Sequence, residues 1–281
     1  MKFAIALAIV LVAIVVLVRL IEPRLAFFPT RGEDATPAAA GIPFEAIDLK
    51  TSDGETLRAW WMPHHQPRAV VLYFHGNGGN LSIWTPILAS VQQRGFSILA
   101  IDYRGYGLSS GSPSEQGQYR DAESALAYLS ERSQPGLPTL YWGRSLGTTV
   151  AAFAATRRQP DGLILESGFP DARSVLAGSP LWVLSFVSSY RFPTAQWMRD
   201  VRCPTLVLHG TADSIIPFHL GQRLYDAIPG PKQFVAIEGG DHNDGEPRTP
   251  DVYWGAIVRF ADSLNARPPG GKPSGLPAPL Q

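Results

Sequence analysis

Four segments of this chain hold residues whose types and order suit acyl transfer: His75–Asn80, Gly143–Gly147, His209–Pro217 and Gly239–Asp244. Gly143-Arg144-Ser145-Leu146-Gly147 fits G-x-S-x-G. The serine of that pattern must sit at the apex of a sharp strand-to-helix turn. Ser145 meets the requirement, because Leu140–Trp142 before it reads as a short buried strand and Leu146–Arg158 after it as an Ala-rich helix. A second match, Gly107–Gly111 around Ser109, does not meet it. That serine lies several residues beyond its strand, and Pro113 intervenes before any helix. Ser109 is therefore expected to be a loop hydroxyl.

A serine hydroxyl attacks a carbonyl only when a base takes its proton, and the base needs a carboxylate to hold its tautomer. The histidines that follow Ser145 are His209, His219 and His242. His242 sits in a Gly-rich loop after the last strand, where an imidazole can reach the carboxyl edge of a sheet. His209 ends a strand and reads as structural; His219 reads as exposed or supporting. The acid is expected after the strand before the last one, which selects Asp213, with Asp171 as the alternative. Asp241 and Asp244 read as solvated loop charges. A tetrahedral intermediate also needs N–H donors on its oxygen. The N–H of Leu146 is one, and that of Asn77 in His75–Asn80 is the other, with Gly78 next in order. No Lys-Ser/Thr pair follows that glycine-rich loop, so it does not read as a phosphate cradle.

These residues need a scaffold, and the apolar pattern supplies one. Phe44–Lys50 and Leu57–Met62, separated by Ser52-Asp53-Gly54, read as an antiparallel hairpin. Ala69–Phe74, Ser97–Asp102, Leu140–Trp142, Gly162–Ser167, Pro204–His209 and Phe234–Glu238 are continuous apolar runs, as expected of strands covered on both faces. Glu115–Ser133 carries Tyr119, Ala122, Ala125, Leu126 and Leu129 at helical spacing. Alternation of strand and helix predicts an α/β fold with a mostly parallel, doubly wound sheet. The stretch from Ser167 to Cys203, with Pro180–Val187, Tyr190, Phe192 and Trp197, holds the place of a short apolar cap over residues 170–200.

The bulk numbers exclude several classes. Of 281 residues, 24 are Lys or Arg and 24 are Asp or Glu, with no block of like charge to track a phosphate backbone. Nucleic acid is therefore not an expected partner. The single cysteine, Cys203, excludes an intrachain disulfide and a multi-cysteine metal site, and reads as a small buried hydrophobe. The chemistry proposed needs neither a metal nor an organic cofactor.

The two ends differ from the middle. Phe3–Val18 is an unbroken apolar run, and Phe3–Ile21 as a helix would be about 28 Å long, near the ~30 Å hydrocarbon core. Residues 1–22 are thus expected to be an uncleaved single-pass membrane anchor, 23–42 a linker and 43–265 the catalytic domain. Arg19, Arg24 and Arg31 after the run lean toward a cytoplasmic catalytic domain, whereas a typical signal anchor points the other way. The Pro/Gly-rich segment 266–281 is expected to be a disordered tail.

Taken in order, His75–Asn80, Asp102–Gly111, Gly143–Gly147, Leu165–Phe169, Leu208–Asp213 and Gly239–Asp244 resemble the α/β-hydrolase family, and within it the Bem46 branch of ABHD-type, membrane-anchored hydrolases. The resemblance implies the α/β-hydrolase fold, a triad of Ser145, Asp213 and His242, and a structural role for Asp102–Gly111. Members that cleave protein thioesters often carry an N-terminal cysteine cluster, which this chain lacks, so the resemblance does not extend to that activity. The expected function is a serine hydrolase cleaving a small-molecule or lipid-like carboxylic ester or a thioester. The alternatives are an amidase or peptidase on the same fold and a non-catalytic membrane scaffold.

Overall fold

The computed structural model of the protein describes residues 2–132, 136–179, 182–244 and 248–265. The tail expected at 266–281 lies outside the described residues. The hairpin strands are β1 (Glu45–Lys50) and β2 (Thr56–Met62), paired from Glu45 opposite Trp61 to Lys50 opposite Thr56. The later strands are β3 (Ala69–Phe74), β4 (Phe96–Ile101), β5 (Thr139–Arg144), β6 (Gly162–Glu166), β7 (Thr205–Gly210) and β8 (Lys232–Ile237). Together they make one eight-stranded sheet in the order β8-β7-β6-β5-β3-β4-β2-β1. Pairing is antiparallel between β1 and β2 and between β2 and β4, and parallel across the rest.

Burial explains the patterning. Every residue of β3, β4, β6 and β7 is buried, which is why these strands are runs of apolar residues. The edge strand β1 instead alternates through its second half, with Ile47 and Leu49 turned inward. The helices are α1 (Lys2–Ala26), α2 (Leu81–Gln93), α3 (Glu115–Arg132), α4 (Leu146–Arg157), α5 (Ala172–Ala177), α6 (Thr194–Met198), α7 (Phe218–Asp226) and α8 (Pro250–Asn265). One core lies against α3 and α4, where Ala122, Ala125, Val150 and Ala151 let helix and sheet approach closely. The other lies against α2 and α8, filled by Leu88, Val91, Ile257 and Phe260.

The order of the sheet decides where a site can form. The chain leaves β3 for β4 on one side, then crosses to β5 on the other. A crevice opens at the carboxyl ends of β3 and β5, where such a reversal places ligand sites in α/β sheets. Between β6 and β7 the cap consists of α5, a 3-10 turn at Trp182–Phe186 and α6.

The single-pass anchor expected at residues 1–22 is not supported by the described residues. Among the described residues, no helix is long and apolar enough to cross a membrane. Arg19, Glu22 and Arg24 end the uncharged run at Val18. The last turns of α1 pack into the α/β domain, where Glu22 is buried. Beyond them, Phe27 is buried, Phe28–Pro29 pairs in parallel with Gly78–Gly79, and Ile42 reaches the core.

Candidate active site

Ser145 sits between β5 and α4 with φ 53° and ψ −118°, a backbone conformation that L residues rarely adopt. The turn is this tight because both flanking positions are glycine. A Cβ at Gly143 would lie 2.2 Å from the carbonyl oxygen of Gly147. One at Gly147 would lie 2.0 Å from that of Phe74 at the end of β3. Both obstacles are backbone and cannot swing aside. Gly147→Ala is therefore expected to destabilise the fold by about 3 kcal/mol, the upper end of overpacking costs. Urea unfolding measures this, and a wild-type midpoint would mean that elbow and β3 are not packed this closely.

The sequence-selected residues meet at this turn. His242 Nε2 lies 2.9 Å from Ser145 Oγ, and His242 Nδ1 lies 2.8 Å from Asp213 Oδ2. All three are buried. Because the carboxylate can only accept, the Nδ1–H donates to Asp213, which leaves the Nε2 lone pair facing the serine hydroxyl. The other oxygen of Asp213 accepts from the N–H groups of Ile215 (3.0 Å) and Ile216 (2.7 Å). Burial alone would raise the pKa of Asp213, but the His242 hydrogen bond and charge, with the Ile216 N–H and His209, hold it below the ordinary value.

The remaining histidines and acids have other positions. His209 is buried beneath Asp213, with Nε2 donating to the carbonyl of Ile216 at 2.8 Å. Burial lowers its pKa, which keeps it neutral under the triad. His219 is exposed on α7. Asp171, the alternative acid, caps α5 by accepting from Ser174 N at 2.8 Å. Asp241 and Asp244 are not merely solvated. Asp241 accepts from the N–H groups of Ser214 and His242, both at 2.7 Å, and Asp244 accepts from the N–H of Asp241 at 2.9 Å. These bonds fix the loop that carries the imidazole. Ser109 is buried, donating to the carbonyl of Asp102 (2.8 Å) and accepting from Arg58 N (2.9 Å), as a structural hydroxyl would.

Leu146 is the first residue of α4, so its N–H belongs to the donors that a helix leaves unpaired at its start. Asn77 lines the same cavity as Ser145, Leu146 and His242. Its side chain is hydrogen-bonded at both ends. Asn77 Nδ2 donates to the carbonyl of Ala26 at 2.6 Å, and the Tyr106 hydroxyl bridges Asn77 O (2.9 Å) and Oδ1 (3.0 Å). Tyr103 in turn donates to the carbonyl of His75 at 3.0 Å. The Asp102–Gly111 loop thus props the loop after β3.

Sequence reasoning missed several supports. Arg144, the variable residue before the serine, donates to the carbonyl of His242 at 2.9 Å and lies beside Glu166 at 3.6 Å. Its place in a variable position of the motif carries no signal of that contact. A cavity of about 560 Å³ opens above Ser145 and His242, lined chiefly by apolar side chains such as Trp84, Phe169, Leu176 and Phe192. Val18, Glu22, Leu25 and Ala26 of α1 also line it, and nothing in their spacing announces that destination.

This fold and crevice define a class, and the comparisons agree with it: the chain belongs to the α/β-hydrolase family. The family model described as the alpha/beta hydrolase fold matches residues 69–188. Relatives are of ABHD type. Alpha/beta hydrolase domain-containing protein WAV2 of Arabidopsis thaliana is 30% identical over 90% of this chain and 91% of its own length. Lysophosphatidylserine lipase ABHD12 of Mus musculus is 33% identical over 59% of this chain and 47% of its own length. Among solved structures, esterase Pf2001 of Pyrococcus furiosus superposes with a TM-score of 0.66 at 17% identity, covering 85% of this chain and 97% of that one. Fold and relatives together support hydrolase activity.

Proposed function

We propose that this protein is a serine hydrolase that cleaves carboxylic esters bearing an apolar acyl group. The observation that carries the reading is the hydrogen-bonded series Ser145–His242–Asp213 opening into an apolar cavity. In this reading Ser145 Oγ attacks the ester carbonyl while His242 Nε2 takes its proton. Asp213 stabilises the imidazolium that forms. The negative oxygen of the tetrahedral intermediate is held by the N–H groups of Leu146 and Asn77. His242 then gives its proton to the departing alcohol, leaving an acyl-enzyme. Water, deprotonated by the same imidazole, releases the acid and restores the serine. The name of the lysophosphatidylserine lipase relative favours a lipid-like ester.

For the N-terminal helix we propose contact with a lipid surface. Phe3, Ile9, Val12 and Leu20 are more than 60% exposed, and such an apolar face suits an interface.

A fluorophosphonate probe and a panel of esters and amides test the reading. Covalent labelling at Ser145 with ester turnover is the expected result. Labelling with turnover of amides alone would assign an amidase, and folded protein that takes no label would favour a scaffold.

A further inference from the structure

Helix α1 ends inside the catalytic cleft. Val18, Glu22 and Leu25, spaced to share one helix face, line the cavity that holds Ser145 and His242. Glu22 is 7% exposed, yet its carboxylate is well supplied with donors. It accepts from Ser189 N at 2.8 and 3.1 Å and from the hydroxyls of Ser188 and Ser189. Those serines lie just beyond the 3-10 turn of the cap. Phe27 packs edge-on against Tyr190 at 5.2 Å and Phe192 at 6.1 Å. On the opposite side, the carbonyl of Ala26 accepts from Asn77 Nδ2 at 2.6 Å. The inner end of α1 is therefore pinned to the cap on one side and to the loop after β3 on the other.

We propose that this inner end of α1 is the acyl-chain wall of the site, with Val18 and Leu25 contacting the chain and Glu22 the positioning residue that holds the wall against the cap. The inference rests on the ester-hydrolase reading and adds to it what sets the accepted chain length. Glu22 is the one carboxylate among the described lining residues, and its donors occupy it. The wall thus offers a substrate aliphatic surface and no free charge, which suits a long alkyl chain.

The test uses full-length protein in detergent with p-nitrophenyl acetate and dodecanoate. Val18→Trp and Leu25→Trp are expected to lower the dodecanoate-to-acetate ratio of kcat/KM by about tenfold or more, since filling a chain-binding wall excludes length selectively. Glu22→Ala is expected to lower the same ratio through a higher KM for dodecanoate, with Glu22→Gln falling between it and wild type. Val252→Trp, exposed on α8 and outside the cavity lining, should leave the ratio unchanged. Should a tryptophan prevent folding, Val18→Ala provides the second measurement, with its optimum moved toward longer chains. Equal losses on both esters, or an unmoved ratio, would overturn the wall while the serine-hydrolase reading stands on labelling and acetate turnover. A wild type that takes no label and cleaves neither ester would overturn both.

Discussion

Ser145→Ala is expected to lower kcat/KM for the best ester by about a million-fold, the scale on which removal of a triad serine acts. The reason is local. With Oγ gone, the Nε2 lone pair 2.9 Å away has no proton to take and the carbonyl meets no nucleophile. The backbone donors and the cavity remain, so a small residual rate over water should persist. The substitution removes one buried oxygen from a strained turn and should not unfold the chain. Ser109→Ala is the matched control, because its hydroxyl serves the carbonyl of Asp102 and the N–H of Arg58. It should cost about 1–3 kcal/mol of stability for the unpaired buried groups and still take the fluorophosphonate label. Full labelling of the Ser145 variant, or loss of labelling confined to folded Ser109 variant, would reverse the assignment.

The second large effect is expected from Asp213→Asn, with a fall in kcat of about ten-thousand-fold and the fold retained. The amide oxygen can still accept from Ile215 N and Ile216 N. Its NH2 group, facing His242 Nδ1 in place of the carboxylate, favours the tautomer with the proton on Nε2, which cannot take another from the serine. The same variant has a pH signature. The pKa of Asp213 is lowered in the folded state from its reference value of 3.8. The ionised carboxylate therefore contributes stability that is complete above the unfolded value and is lost as pH falls through the folded one. Melting temperatures followed from about pH 5 downward should fall more steeply for wild type than for the asparagine variant. Equal slopes would mean that Asp213 is not held ionised by the contacts around it.

Much of this architecture was legible because the rules that write it are local. Continuous apolar runs mark strands buried on both faces, and those at Ala69–Phe74 and Gly162–Glu166 are such strands. The glycines around Ser145 signal a turn that admits no side chain, and the clashes at Gly143 and Gly147 give the steric reason. Chain order then pointed to Asp213 and His242, since a loop after each late strand can only emerge at one edge of the sheet. The roles of Arg144, Asp241 and Tyr106 were not legible. Each acts through a backbone group distant in sequence, and a hydrogen bond to a carbonyl or N–H leaves no trace in the partner's side-chain type.

By itself, then, the sequence determined the kinds of elements, the strained serine turn and the residues able to work together on an acyl group. Tertiary structure alone decided where the inner end of the first helix packs. Apolar side chains such as Val18 and Leu25 gain similarly from hydrocarbon tails or from a pocket wall, because the hydrophobic effect has no direction. What fixes the inner end of α1 is the hydrogen bonding of Glu22 to Ser188 and Ser189, residues more than 160 positions away that meet it only once the chain has folded.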